Sequence, residues 1–281
     1  MKILVCITFL YKETRLQYLK KVLESYSNMI YSVEVNIITD VTHEDKISFI
    51  KEIFPKQSDK FCSKIIAFPT IPHPWLLTWG HKEVFSQKFH NLEYTHFICS
   101  EDDLEIKQNN IDYWLEHRQR LQGTGFYPSF LRVEWNKHLN SWTSTDLISK
   151  ICLKETRSIE VENGSYTYLN LNNPYQGMFL YDRLLMAEHM RSDTFDILKY
   201  GHIETIEMNP TWGGGGVAER ANFALTFENV PTGFGSRNLI NYDAKYLLLN
   251  HSSYIHHLPN NYADSLRVDR HGQIKLNDII N

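Results

Sequence analysis

Three consecutive carboxylates, Glu101-Asp102-Asp103, follow directly on the apolar run 95–100 (THFICS). In an extended chain alternate side chains share a face, so Glu101 and Asp103 are expected on one side and Asp102 on the other. Two carboxylates on one face repel unless a proton or a cation sits between them. Oxygen ligands of this kind suit hard divalent ions such as Mg²⁺ or Mn²⁺, which keep positions open for substrate phosphates. The competing reading is a solvated acidic turn ahead of a helix that begins near Gln108. Placement at the end of a buried strand favours the functional one.

The surrounding elements decide whether such a triplet can be presented. Residues 2–8 (KILVCIT), 33–39 (VEVNIIT), 64–68 (KIIAF) and 95–100 are short apolar runs, as expected for strands buried on both faces. Between them lie helical patterns. Leu16, Leu19, Leu23, Tyr26 and Ile30 recur at helical spacing, 43–53 is stopped by Pro55, and 76–90 forms a third stretch. Ile111, Trp114, Leu115 and Leu121 mark a fourth. Alternating strands and helices predict an α/β fold: an open, mostly parallel twisted sheet with helices on both faces. Such sheets bind ligands beyond the carboxyl ends of their strands, and Thr8, Asp40, Thr70 and Glu101–Asp103 all fall there.

The second half is less regular. Strands are expected at 129–135 and 175–181, a hairpin over 158–171 around Asn163-Gly164, and helices at 182–190 and near 217–227. The loop 209–216 (NPTWGGGG) sets Trp212 beside Gly213–Gly216, and is equally a lid over a sugar or a loose surface loop. No repeat or linker appears, so one compact unit is expected.

Composition narrows the classes. The chain has 281 residues, 42% of them hydrophobic, which excludes disorder as the main state. A net charge of −4 disfavours general nucleic-acid binding. Cys6, Cys62, Cys99 and Cys152 form no CxxC cluster, and read as buried thiols in a reducing, cytoplasmic setting. Tyr11-Lys12-Glu13 follows the first apolar run where a signal peptide would need small residues, so that run reads as a strand. No stretch approaches 18 apolar residues, so no membrane span is expected; a peripheral membrane contact stays open. HExxH, GxSxG, GxGxxG and P-loop patterns are absent.

The segment FICSEDDLEI at 97–106, with LTWGHKEVF at 77–85 before it and FLRVEW at 130–135 after it, resembles the nucleotide-sugar-dependent glycosyltransferases of the GT-A fold, with their D-x-D-type acidic motif. The resemblance covers chiefly residues 1–135. It implies a single domain over 1–281, with a nucleotide-sugar-binding half (1–135) and an acceptor-binding and catalytic half (136–281). It implies a divalent cofactor, Mn²⁺ or Mg²⁺, held by Glu101 and Asp103, with Asp102 on the donor's ribose or sugar. Thr8, Phe9, Tyr11 and Asp40 would meet the base, and Trp79 and Lys82 would line the donor, Lys82 against a phosphate. Glu219 would be the general base, with Glu204 and Glu207 as rivals. His257 would complete the metal site, with His251 and His256 as rivals. The partners implied are a nucleotide-sugar donor and a carbohydrate or glycoconjugate acceptor, with no nucleic acid. Two other readings use the same residues: a metal-dependent phosphohydrolase or nucleotidyltransferase, and a non-catalytic carbohydrate- or nucleotide-binding module.

Overall fold

The computed structural model describes residues 1–204, 206–209, 213–264 and 271–281. The chain forms two compact units that interleave along the sequence. One contains Met1–Leu104, Gly177–Met208 and Gly213–Leu225; the other is chiefly Glu105–Gln176 and Thr226–Asn281.

The first unit is built on a five-stranded sheet. Its parallel strands are β1 (Lys2–Phe9), β2 (Ser32–Thr39), β3 (Phe61–Ala67) and β4 (His96–Glu101). β1 lies centrally, pairing with β2 on one side and β4 on the other, and β3 follows β2. The strand Met178–Asp182 closes the β4 edge in antiparallel register, Met178 opposite Ser100. β1 and β2 are buried along almost their whole length, which is why their sequences are continuous apolar runs rather than alternating ones. The strand order steps outward from β1 in both directions. Right-handed crossovers therefore put α1 (Leu16–Ser27) and α2 (Glu44–Glu52) on one face and α3 (His81–Lys88) on the other.

Two helical expectations are corrected. The stretch 76–90 is a tight 3₁₀ segment, Pro74–Gly80, followed by the shorter α3. The helix near 217–227 ends at Phe223, where Ala224 turns to φ +46° and breaks the i→i−4 ladder. In α1 the apolar face is Leu19, Val22, Leu23 and Tyr26; Ile30 lies beyond the helix and is 66% exposed.

In the second unit Ile274–Lys275, Ser141–Ser144, Leu131–Asn136 and Tyr254–His257 lie side by side in one sheet. A second sheet joins Leu248–Leu249, Asn238–Asp243, Tyr166–Leu169 and Ser158–Val161, the last two forming the hairpin expected around Gly164. The core of this unit is formed by Leu131, Val133, Leu169, Ile240, Leu249 and Ile279. Among the described residues no helix is long and apolar enough to cross a membrane.

Candidate functional site

The order β3-β2-β1-β4 reverses direction between β1 and β4. At such a switch point the two neighbouring crossovers leave on opposite faces, and a crevice opens at the strand ends. Thr8 is paired with Glu101 across this boundary. The acidic triplet therefore lies where an open α/β sheet receives ligands, as its position in the sequence implied.

The arrangement of the three carboxylates differs from the expectation. β4 ends at Glu101, and Asp102 and Asp103 form a turn, so period-two alternation stops one residue too early. Glu101 accepts a hydrogen bond from Asn222 Nδ2 at 3.3 Å. Asp102 and Asp103, 5% and 4% exposed, both turn to Arg15. The guanidinium grips Asp102 with two bonds, Nε to Oδ2 at 2.8 Å and Nη2 to Oδ1 at 2.5 Å, and reaches Asp103 Oδ2 at 2.8 Å. Burial pushes the Asp102 carboxyl up and the neighbouring Asp103 charge adds to this, while Arg15 pulls the other way. Asp102 is thus bonded to Arg15 rather than presented to a donor.

Gly177 makes this corner possible. It sits at φ +64°, and a Cβ there would lie 2.8 Å from Glu101 Oε2 and 2.9 Å from Leu104 Cδ1. Only glycine allows that approach at that backbone angle. Arg15, Asn222 and Gly177 escape a sequence reading, because each is joined to the triplet only by the fold.

At the expected metal site Glu101 and Asp103 are hard oxygen ligands, but Glu101 accepts from Asn222 and Arg15 already supplies positive charge to Asp103. Among the described residues no group of three His, Cys, Asp or Glu side chains converges as a metal cage. His257 has a different partner: its Nδ1 is hydrogen-bonded to the fully buried Glu134, whose other oxygen accepts from the Ala263 N–H at 2.5 Å. As they stand, the residues expected to hold the ion do not form its site.

The residues expected at the base divide. Phe9 is fully buried and has no face for a ligand. Tyr11 is half-buried, set edge-on to Phe9 at 5.9 Å with the Lys46 ammonium 5.2 Å from its ring centre. Asp40 Oδ1 accepts the Tyr11 N–H at 3.0 Å, so the ends of β1 and β2 are tied together. Thr8, Tyr11 and Asp40, each half-buried, are the members of this group with exposed surface at the strand ends.

Trp79 and Lys82 are structural. Trp79 is 3% exposed and donates from Nε1 to the Val217 carbonyl at 2.9 Å. Lys82 is 7% exposed, donates to the Thr194 carbonyl, and lies 3.7 Å over the Trp79 ring centre. Burial pushes its amine down to about 6, leaving it mostly neutral at pH 7 and unsuited to hold a phosphate by charge. It borders an apolar cavity of about 350 Å³ with Phe68, Leu76 and Phe195.

Glu219 lies in the first turn of Val217–Phe223, with its carboxylate folded back over Gly216 at the helix start. Negative charge there is favoured by the helix dipole. Arg220 beside it is 1% exposed and fans out to backbone carbonyls of Tyr200 (2.8 Å), Glu204 (3.0 Å), Gly215 (2.5 Å) and His202. Glu204 is exposed, while the Glu207 side chain and Trp212 lie outside the described residues. The glycines Gly213–Gly215 form a two-stranded ribbon with Ile206–Asn209 rather than a loop.

Fold and site together define an open α/β protein with a polar lip at its topological switch point. No family model matches the sequence, and no curated protein matches it. A crystal structure of S. aureus TarS is similar over 67% of this chain and 30% of that chain, at 13% identity and a TM-score of 0.39. The chain thus spans less than a third of the length of that protein.

Proposed function

We propose that this protein is a glycosyltransferase that takes a sugar from a nucleotide-sugar donor and passes it to a hydroxyl of a carbohydrate or glycoconjugate. The observation that carries the reading is the pairing of Thr8 with Glu101 at the switch point of the parallel sheet, with Tyr11 and Asp40 at the adjoining strand end. The family resemblance of residues 97–106 supports the same reading.

In this reading the base lies against the exposed surface of Tyr11, and the ribose and diphosphate pass along the ends of β1 and β4. Arg15 is paired with Asp102 and Asp103 and keeps them from repelling a diphosphate at full charge. An acceptor hydroxyl attacks the anomeric carbon, the bond to the diphosphate breaks, and in an inverting reaction Glu219 takes the proton. General-base help of this kind is worth about 10²–10⁴-fold. Asp40, the extra ligand a two-metal hydrolase would need, is bonded to the Tyr11 N–H instead, which disfavours that alternative.

The test is a thermal-shift screen of UDP, GDP, CMP and dTDP, each with and without Mn²⁺. A ligand at 100 times its Kd stabilises the folded state by about 2.7 kcal/mol. Stabilisation by one nucleotide supports the reading, and a requirement for Mn²⁺ would restore the expected divalent ion. No response to any nucleotide would remove the reading. Glu219→Gln is expected to bind that nucleotide normally and transfer slowly; unimpaired transfer would take Glu219 out of the role of base.

A further inference from the structure

The second unit carries a cavity of about 520 Å³ that the donor reading does not use. Its size lies within the ~300–1,000 Å³ typical of small-molecule sites. Alternation along the strands builds it. Val133 and Trp135 point to one face of Leu131–Asn136, and Tyr254 and His256 point to the same face from the parallel neighbour, where His256 is in register with Val133. Trp142 lies directly opposite Trp135 on the antiparallel strand Ser141–Ser144.

The aromatic surface is held in advance of any ligand. The Trp135 and Trp142 rings meet edge-on at 5.7 Å, and His256 meets Trp142 edge-on at 4.9 Å. His256 Nε2 is fixed by Asn260 Oδ1 at 3.1 Å, and that same oxygen accepts the backbone N–H of Trp135 at 2.9 Å. Trp142 nevertheless remains 39% exposed, with a ring available for stacking. Exposed amides of Asn109, Asn140 and Asn277 stand around the mouth. Each offers two donors and an acceptor, the pattern that matches vicinal hydroxyls.

Charge selects among ligands. Lys107 at the cavity is paired with Glu105 at 3.1 Å, and Glu105 also lies 3.7 Å from His256 Nδ1. No uncompensated cation lines the cavity among the described residues, and a phosphate would meet the Glu105 carboxylate. A flat apolar ring face bounded by amides, without spare positive charge, fits a sugar ring whose C–H face stacks on indole.

We propose that this aromatic and amide-lined cavity is a binding site for a neutral saccharide, with Trp142 as its stacking platform. The site is formed by the second unit alone, so it stands whether or not the first unit takes a nucleotide. The experiment follows the indole N–H resonances of ¹⁵N-labelled full-length protein, without nucleotide, during titration with maltotriose, cellotriose, chitotriose and mannotriose. Trp135 and Trp142 signals are assigned by comparison with Trp142→Phe and Trp135→Phe. The expected result is a saturable shift of both signals by at least one trisaccharide. Its apparent Kd should rise about tenfold or more in Trp142→Ala and stay within about threefold in Trp142→Phe, which keeps an aromatic face. No shift with any of the four sugars overturns the proposal, as does equal affinity in a folded Trp142→Ala protein. A larger shift with UDP or inorganic phosphate than with the sugars would overturn the assignment to a neutral ligand. A failed nucleotide screen leaves this result untouched, so the two readings fail separately.

Discussion

Lys82→Met is expected to stabilise the protein, and by an amount that depends on pH. The side chain is 7% exposed, and its amine is held down from 10.5 to about 6 by burial. In the unfolded chain the same amine keeps its ordinary value. Between pH 6 and pH 10.5 the unfolded state therefore binds more protons than the folded one, and stability rises with pH across that window. Each pH unit within it changes stability by about 1.4 kcal/mol, so the lysine protein should gain about 2.7 kcal/mol between pH 7 and pH 9 from this group alone. Below pH 6 both states carry the charge and the contribution is flat. Methionine fills a similar volume and does not titrate; it loses the bond to the Thr194 carbonyl, an offset of about 1 kcal/mol that does not vary over the window. Urea denaturation of both proteins at pH 6, 7, 8 and 9 isolates the effect, because every other titrating group cancels in the difference. The methionine protein should lead at pH 7, and the two curves should approach each other as pH rises. Parallel curves would show that the amine is hydrated or charge-paired, and would return Lys82 to the list of phosphate contacts. Nucleotide stabilisation should be the same in both proteins, since the amine faces Trp79 and Phe195 rather than the strand ends.

Arg15→Met should destabilise the fold by about 3–5 kcal/mol, because it removes the cation that two buried carboxylates share; adding Asp102→Asn and Asp103→Asn should recover a large part of the loss in chemical denaturation. Gly177→Ala should cost about 1–3 kcal/mol by the same measurement, from a positive φ and a methyl 2.8 Å from Glu101 Oε2; a neutral result would mean that the corner relaxes freely. Arg220→Lys keeps the charge but cannot reproduce the fan of bonds to Tyr200, His202, Glu204 and Gly215, so amide exchange should accelerate at 200–204 and 215 while the sheet stays protected. Unchanged exchange there would show that the segment is held by other contacts.

What could be read from the sequence, and what could not, follows from the range of the interactions. β1, β2 and β4 were legible to within one residue at each end, because a strand buried on both faces writes itself as a continuous apolar run. β3 was read three residues late, since Phe61-Cys62-Ser63 mixes small and polar side chains along a sheet edge. The location of the acidic triplet was legible for the same reason: it is the end of such a run. Its electrostatics were not. Arg15 is 87 and 88 positions from Asp102 and Asp103, and Glu13-Thr14-Arg15 taken alone reads as a solvated turn. The same blindness hid the partners of Lys82 and His257. Lys82 was expected against a donor phosphate, yet the 3₁₀ segment before α3 sets that helix with Lys82 turned inward. His257 was read as a ligand, yet a carboxylate 123 residues away holds it. In the second unit the strand at 129–135 was visible locally, but the meeting of Trp135, Trp142 and His256 depends on a parallel neighbour that arrives more than a hundred residues later. Periodicity is decided within a few residues, whereas the charge on a carboxylate, amine or imidazole is decided by whatever the fold sets beside it. Counting acidic residues at a strand end therefore locates a site without fixing what balances its charge, and here the Arg15 guanidinium takes part in that balance.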